Sequence, residues 1–155
     1  MNKLLMRLGI VMMMLFLITA CSSTSQAEKE LEQAVEDNLQ AMNEKDLTKY
    51  MDMLSKDTDP DVVTQTEKTM EYAFSNFDLE ATVKRFKVVS ISDETAVIEV
   101  EQDTINKKSD PRFKDNRTIA EHTMVKENNQ WKFKSSVIRS TKQIDSSGNV
   151  IGNLQ

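Results

Sequence analysis

The strongest constraint on this chain is a change of hydrophobic period at Asp78. Before it, apolar residues recur every three or four positions, the spacing of one helix face. After it they recur every second position, the spacing of a strand with one face buried. Helices followed by strands imply an α+β fold rather than a parallel α/β sheet. The expected architecture is three N-terminal helices packed on one face of a curved antiparallel sheet of four strands.

Leu31, Val35, Leu39 and Met42 share one face of a first helix, expected over about 27–43, and Glu28, Glu30, Glu32, Glu36 and Asp37 cover the rest. Leu47, Tyr50, Met51 and Leu54 repeat the pattern over about 46–56, behind Asp46 as an N-cap. Asp59-Pro60 opens a third helix over about 60–77, because a proline in the first turn gives up no helical hydrogen bond. Its apolar face is Val63, Met70, Phe74 and Phe77.

In the first strand the apolar phase runs through Leu79, Ala81 and Val83 and then shifts to Phe86 and Val88. A β-bulge near Arg85 would produce that shift. Ala96, Ile98 and Val100 alternate with Glu99, Glu101 and Asp103 in the second, after a turn at Ser92–Glu94. A charged loop, Asn106–Asp115, leads to a last hairpin that turns at Asn128-Asn129, since asparagine tolerates the positive φ such turns need. Residues 139–155 are polar and read as a tail or a weak edge hairpin.

The N-terminus reads as an address. Lys3 and Arg7 precede an apolar run from Leu8 to Ile18, too short to span a bilayer, which takes roughly 20 apolar residues. The run ends in "ITAC", which resembles the lipobox of bacterial lipoproteins. That resemblance implies a signal peptide over 1–20, cleavage between Ala20 and Cys21, and diacylglycerol on the Cys21 sulfur. It also implies a chain held at the cell membrane on its extracytoplasmic face, with palmitate among the acyl chains. Two acyl chains suffice for stable attachment, where one is marginal. "SSTSQA", Ser22–Ala27, reads as a tether to the domain. Cys21 is the only cysteine, so lipidation would exclude disulfides and thiolate chemistry.

The net charge is −5, and loss of Lys3 and Arg7 would make the remainder more acidic. Nucleic acid is therefore an improbable partner, because its binding rests on neutralising phosphates. No glycine-rich phosphate loop, HExxH, GxSxG or paired Cys/His motif occurs, so no cofactor or metal is indicated.

Three stretches together resemble the nuclear transport factor 2-like superfamily, the cystatin-like α+β cone. They are "DLTKYMDMLSKD", "KVVSISDETAVIEVE" and "VKENNQWKF", within residues 28–138. The turn here lacks the usual glycine, and a short strand often found between the second and third helices is not evident. The resemblance implies helices leaning on a concave sheet, with a pocket at the wide end. Some members of the superfamily catalyse proton transfer or dehydration there, and others bind a ligand or peptide.

The candidate pocket residues are Tyr50, His122 and Trp131. A two-residue turn at Asn128-Asn129 sets Lys126 opposite Trp131, Met124 opposite Phe133 and His122 opposite Ser135. His122, the only histidine, then lies on the helix-covered face, either as a general base or as a half-buried strand residue bonded to Ser135 or a main-chain group. No orienting carboxylate can be named for it. Glu99, Glu101 and Asp103 suggest a cation site, but pairing with Arg85, Lys87, Arg117, Lys132 or Lys134 accounts for them more simply. The loop cations Lys107, Lys108, Arg112 and Lys114 surround Phe113, which reads as exposed; they could dock a partner, but a solvated loop is the commoner case. The functional reading is a lipid-anchored binding or interaction module for a protein or small molecule. The alternative is a small-pocket isomerase- or dehydratase-like enzyme with His122 as base.

Overall fold

A computed structural model of the protein describes residues 18–154, with side chains from Ser25 onward. The basic start and most of the apolar run, residues 1–17, lie outside the described residues. Helices α1 (Ile18–Glu44), α2 (Leu47–Asp52) and α3 (Pro60–Asn76) precede strands β1 (Leu79–Ile91), β2 (Thr95–Asn106), β3 (Asn116–Glu127), β4 (Gln130–Ile144) and β5 (Val150–Asn153). No helix among the described residues is long and apolar enough to cross a membrane.

Helix α1 starts well before the expected 27 and takes in Ser22–Ala27, the stretch read as a tether. Adding a turn to an existing helix fixes one residue per hydrogen bond gained, and no proline or glycine stands there to stop it. The helix ends in a Schellman arrangement. Lys45 adopts φ 58°, its N–H donates to Met42 O, and the Asp46 N–H donates to Ala41 O.

Helix α2 is shorter than the sequence suggests. Asp46 caps it, accepting from Lys49 N at 2.9 Å, but the chain leaves the helix after Asp52. There it pairs with β4 instead: Phe133 N–H donates to Met53 O and Ser55 N–H donates to Phe133 O. Asp59 caps α3 by accepting from Asp61 N, with Pro60 in the first turn as expected.

The sheet is an antiparallel meander of five strands in sequence order, not four. The fifth forms because Asp145 folds the chain back on itself. Its carboxylate accepts from the Ser147 and Asn149 amides, and Gly148 takes φ 79°. The tail is thus an edge hairpin. Register shifts at Val83/Arg85 and Val88/Ser90 in β1 re-phase its side chains, the first at the expected bulge.

Two apolar clusters fill the concave face. Leu31, Ala34 and Val35 of α1 pack on Ala96, Ile98, Val100, Met124, Trp131 and Phe133. Leu39, Met42, Met70 and Ala81 form the second, flanked by Tyr50 and Phe74. Of α3 only Met70 is buried, so this helix covers the sheet lightly.

Candidate functional site

The three residues expected to share a pocket lie in different places. Tyr50 belongs to the second cluster, edge-on to Phe74 with centroids 6.5 Å apart, and burial raises its phenol pKa. His122 lies on the concave face of β3, edge-on to Phe133 at 5.2 Å. Its partner is Ser136, not Ser135, because β4 carries an extra residue at Lys134 and shifts register there. The imidazole Nδ1 and Ser136 Oγ are 2.7 Å apart. Burial pushes the imidazole down to about 4, so it is neutral at physiological pH and a weak base. Among the described residues no carboxylate bonds its ring nitrogens.

Trp131 does line a cleft, of about 350 Å³, between α1, α2 and the β3–β4 turn. Ala34, Met53 and Trp131 line it together with Glu30, Gln33, Lys49, Asp52 and Lys132. The turn over it is the expected one, with φ 49° at Asn128 and 64° at Asn129. It holds Lys126 opposite Trp131, with the ammonium 5.5 Å from the indole centroid and 3.0 Å from Glu30 Oε2. Lys126 in turn holds the Glu30 carboxyl below its usual range, with help from Gln26. Lys132 donates to Asp52 O at 2.7 Å.

The indole Nε1–H is buried and makes no hydrogen bond among the described residues. It lies near enough to Glu30 to help hold that carboxylate down, but does not close on it. A buried donor left open is costly, about 1–3 kcal/mol, and such groups concentrate where a ligand or water completes them. Trp131 is a candidate legible in the sequence; Glu30, Gln33 and Lys49 are not. Glu30 read as one of several solvated helix acids, and only the fold brings it to Lys126.

The carboxylate row on β2 is charge-paired on the convex face. Arg85 meets Glu99 at 2.9 Å and Glu101 at 3.2 Å, and Arg117 meets Asp103 at 2.6 Å. Lys132 does not join this row, having turned to Asp52. Among the described residues no three His, Cys, Asp or Glu side chains are grouped to hold a metal. Two of the four loop cations are paired: Arg112 chelates Asp110, holding that carboxyl down to about 2, and Lys107 meets Glu80 at 2.8 Å. Phe113 is half-buried against Phe77 rather than exposed, with centroids 5.3 Å apart.

Comparison with known proteins gives both a family and a fold. The family model for the C-terminal domain of anti-sigma-I factor RsgI9 matches residues 33–144. The RsgI9 protein of Acetivibrio thermocellus is 31% identical over 98 residues, covering 63% of this chain but only 13% of its own length. A nuclear transport factor 2-like protein of unknown function from Pseudomonas putida superposes with TM-score 0.61 at 12% identity, covering 84% of this chain and 97% of its own. A cystatin-like protein from Nostoc punctiforme gives TM-score 0.57 at 10% identity, covering 70% and 86%. At such identities the likeness shows the fold alone: the cystatin-like, nuclear transport factor 2-like α+β cone.

Proposed function

The chain belongs to the family of the anti-sigma-I factor RsgI9 C-terminal domain, and from that premise we propose that it is a non-catalytic binding module, lipid-anchored on the extracytoplasmic face of a bacterial membrane. The anti-sigma activity named for the relative belongs to a far longer protein, of which this chain matches 13%, and is not carried over. What carries over is membership of the C-terminal domain family alone.

One observation carries the reading: the cleft at Trp131. Its lining brings together the carboxylates of Glu30 and Asp52, the ammonium groups of Lys49 and Lys132, and apolar Ala34 and Met53, beside a buried indole N–H that has no partner among the described residues. Those groups suit a small polar ligand with both charges, and none is arranged as nucleophile and base. The enzyme alternative rests on His122, which stands outside this cleft with a hydroxyl as its hydrogen-bond partner.

Two experiments test the two halves. Trp131 is the only tryptophan, so its indole N–H gives one NMR resonance. Titration with free amino acids, the simplest zwitterions, should move it, and Glu30→Gln should weaken the response. A resonance that stays still would make the cleft mere packing. For the anchor, Cys21→Ser should abolish palmitate labelling and release the protein from membranes; retention of that variant would overturn the anchor.

A further inference from the structure

Strand β4 is an edge whose outer side is occupied at both ends and open between. At its start, Met53 and Ser55 exchange main-chain hydrogen bonds with Phe133, and Thr58 Oγ1 donates to the carbonyls of Phe133 and Lys134. At its end, β5 pairs with Lys142–Ile144, and Leu154 N–H donates to Thr141 O. From Ser135 to Ser140 no strand or loop among the described residues takes the outer main-chain groups. At about 3.4 Å per residue that gap is about 20 Å long, the length of a typical strand.

The gap is apolar as well as open. Val137 is 48% exposed and Ile138 is 68% exposed, and as successive strand residues they project to opposite faces. A strand laid into the gap would find an apolar neighbour on each side of the sheet.

Charge selects what would lie there. The whole chain is acidic, yet β4 carries Lys132, Lys134, Arg139 and Lys142 and no carboxylate. Lys132 is engaged by Asp52 and Arg139 by Glu121. Lys134 and Lys142, flanking the gap, form no ion pair among the described residues. A second copy is a poor occupant. Two-fold antiparallel pairing across Val137 and Ile138 would set each Lys134 among the other copy's Arg139 and Lys142, and like charges across strands destabilise. Edge lysines commonly ward off such self-pairing. They do not ward off an acidic strand.

We propose that the open edge of β4, Ser135 to Ser140, is a strand-addition site for an extended acidic segment of a partner protein. Main-chain hydrogen bonds would supply affinity, and Lys134 and Lys142 would select acidic residues at the two ends of the segment. This surface is separate from the Trp131 cleft, whose lining includes none of these residues.

The test uses the full-length protein in detergent and a fluorescent peptide of about ten residues with alternating glutamate and valine. Fluorescence anisotropy should show saturable, salt-sensitive binding, with slowed hydrogen exchange at the Ser135–Ser140 amides. The double variant Lys134→Glu/Lys142→Glu, which alters exposed side chains only, should keep its melting curve. It should lose about tenfold or more in affinity and come to prefer the matching lysine–valine peptide. The proposal is overturned by absence of binding, by equal binding of both peptides to the wild type, or by unchanged exchange at those amides. Concentration-dependent pairing of the protein through this edge would overturn it too.

Discussion

Replacing Trp131 in two ways should separate its packing from its hydrogen-bond deficit. Trp131 is 6% exposed and packs with Leu31, Ala34 and Phe133. Trp131→Ala removes the whole ring and leaves a cavity, at a cost of about 3–5 kcal/mol. For a chain of this size that corresponds to a melting temperature lower by about 6–20 °C. Trp131→Phe keeps most of the apolar contact and deletes the Nε1–H. The smaller ring costs about 1–2 kcal/mol in lost burial. Because the N–H has no partner in the fold, removing it returns about 1–3 kcal/mol. The two terms nearly cancel, so Trp131→Phe should lie within about 1 kcal/mol of wild type. Urea denaturation followed by far-ultraviolet circular dichroism measures both variants without needing the indole signal. If Trp131→Phe costs nearly as much as Trp131→Ala, the N–H is satisfied in solution. A double-mutant cycle with Glu30→Gln would then show whether Glu30 is the acceptor, and the open-donor argument for the cleft would fail.

Other perturbations read other parts of the fold. His122 has a folded pKa of about 4 against an ordinary 6.5, so the unfolded chain binds more protons between those values. Stability should therefore fall as pH drops from about 6.5 toward 4. Discounted for its solvent-facing side, the loss is about 1–2 kcal/mol, and a pH series of urea midpoints should flatten in His122→Gln relative to wild type. Ser55 is 2% exposed and donates to Glu127 at 2.6 Å, so Ser55→Ala should cost about 1–2 kcal/mol by the same denaturation assay. Arg117 bridges Asp103 and Gly148 O, so Arg117→Ala should speed amide exchange across Asp145–Asn149 while β1–β2 protection stays unchanged. A chain shortened to begin at Ala27 should fold alone and show no hydrolase, isomerase or dehydratase activity. Turnover that disappears in a folded His122→Ala would contradict the binding reading.

The sequence made the core legible because the core depends on side-chain period, which a one-dimensional string carries. Leu31, Val35, Leu39 and Met42 are all buried, as are Ala96, Ile98 and Val100. The bulge at Arg85 was visible for the same reason, since an extra residue within an alternating strand leaves a phase shift. The extra residues of β4 left no such trace. Around Lys134 and Arg139 both faces are exposed and "KSSVIRS" has no alternation to break, so the partner of His122 was off by one residue. The end of α2 was illegible for a different reason. Met53–Thr58 leaves the helix to bond with β4, far away in sequence, and local propensity holds no record of that competition.

The same distinction explains why the two surfaces singled out here are made of residues that looked ordinary. Glu30, Lys126 and Trp131 become a cleft only because the Asn128-Asn129 turn lays β3 and β4 over the side of α1. The edge of β4 becomes a gap only because Ser55 and Thr58 stop covering it at Lys134 and pairing with β5 begins at Lys142. Both rest on long-range contacts, whereas the core rests on periodicity. A substitution that keeps the apolar pattern can therefore preserve the fold while erasing either surface. Lys134→Glu changes charge at an exposed edge and Glu30→Gln removes it at a rim, and neither touches an apolar core position. Binding defects in these variants without a change in melting would place function in the long-range contacts, and a fall in stability of more than about 1 kcal/mol would place these residues among the fold's own supports.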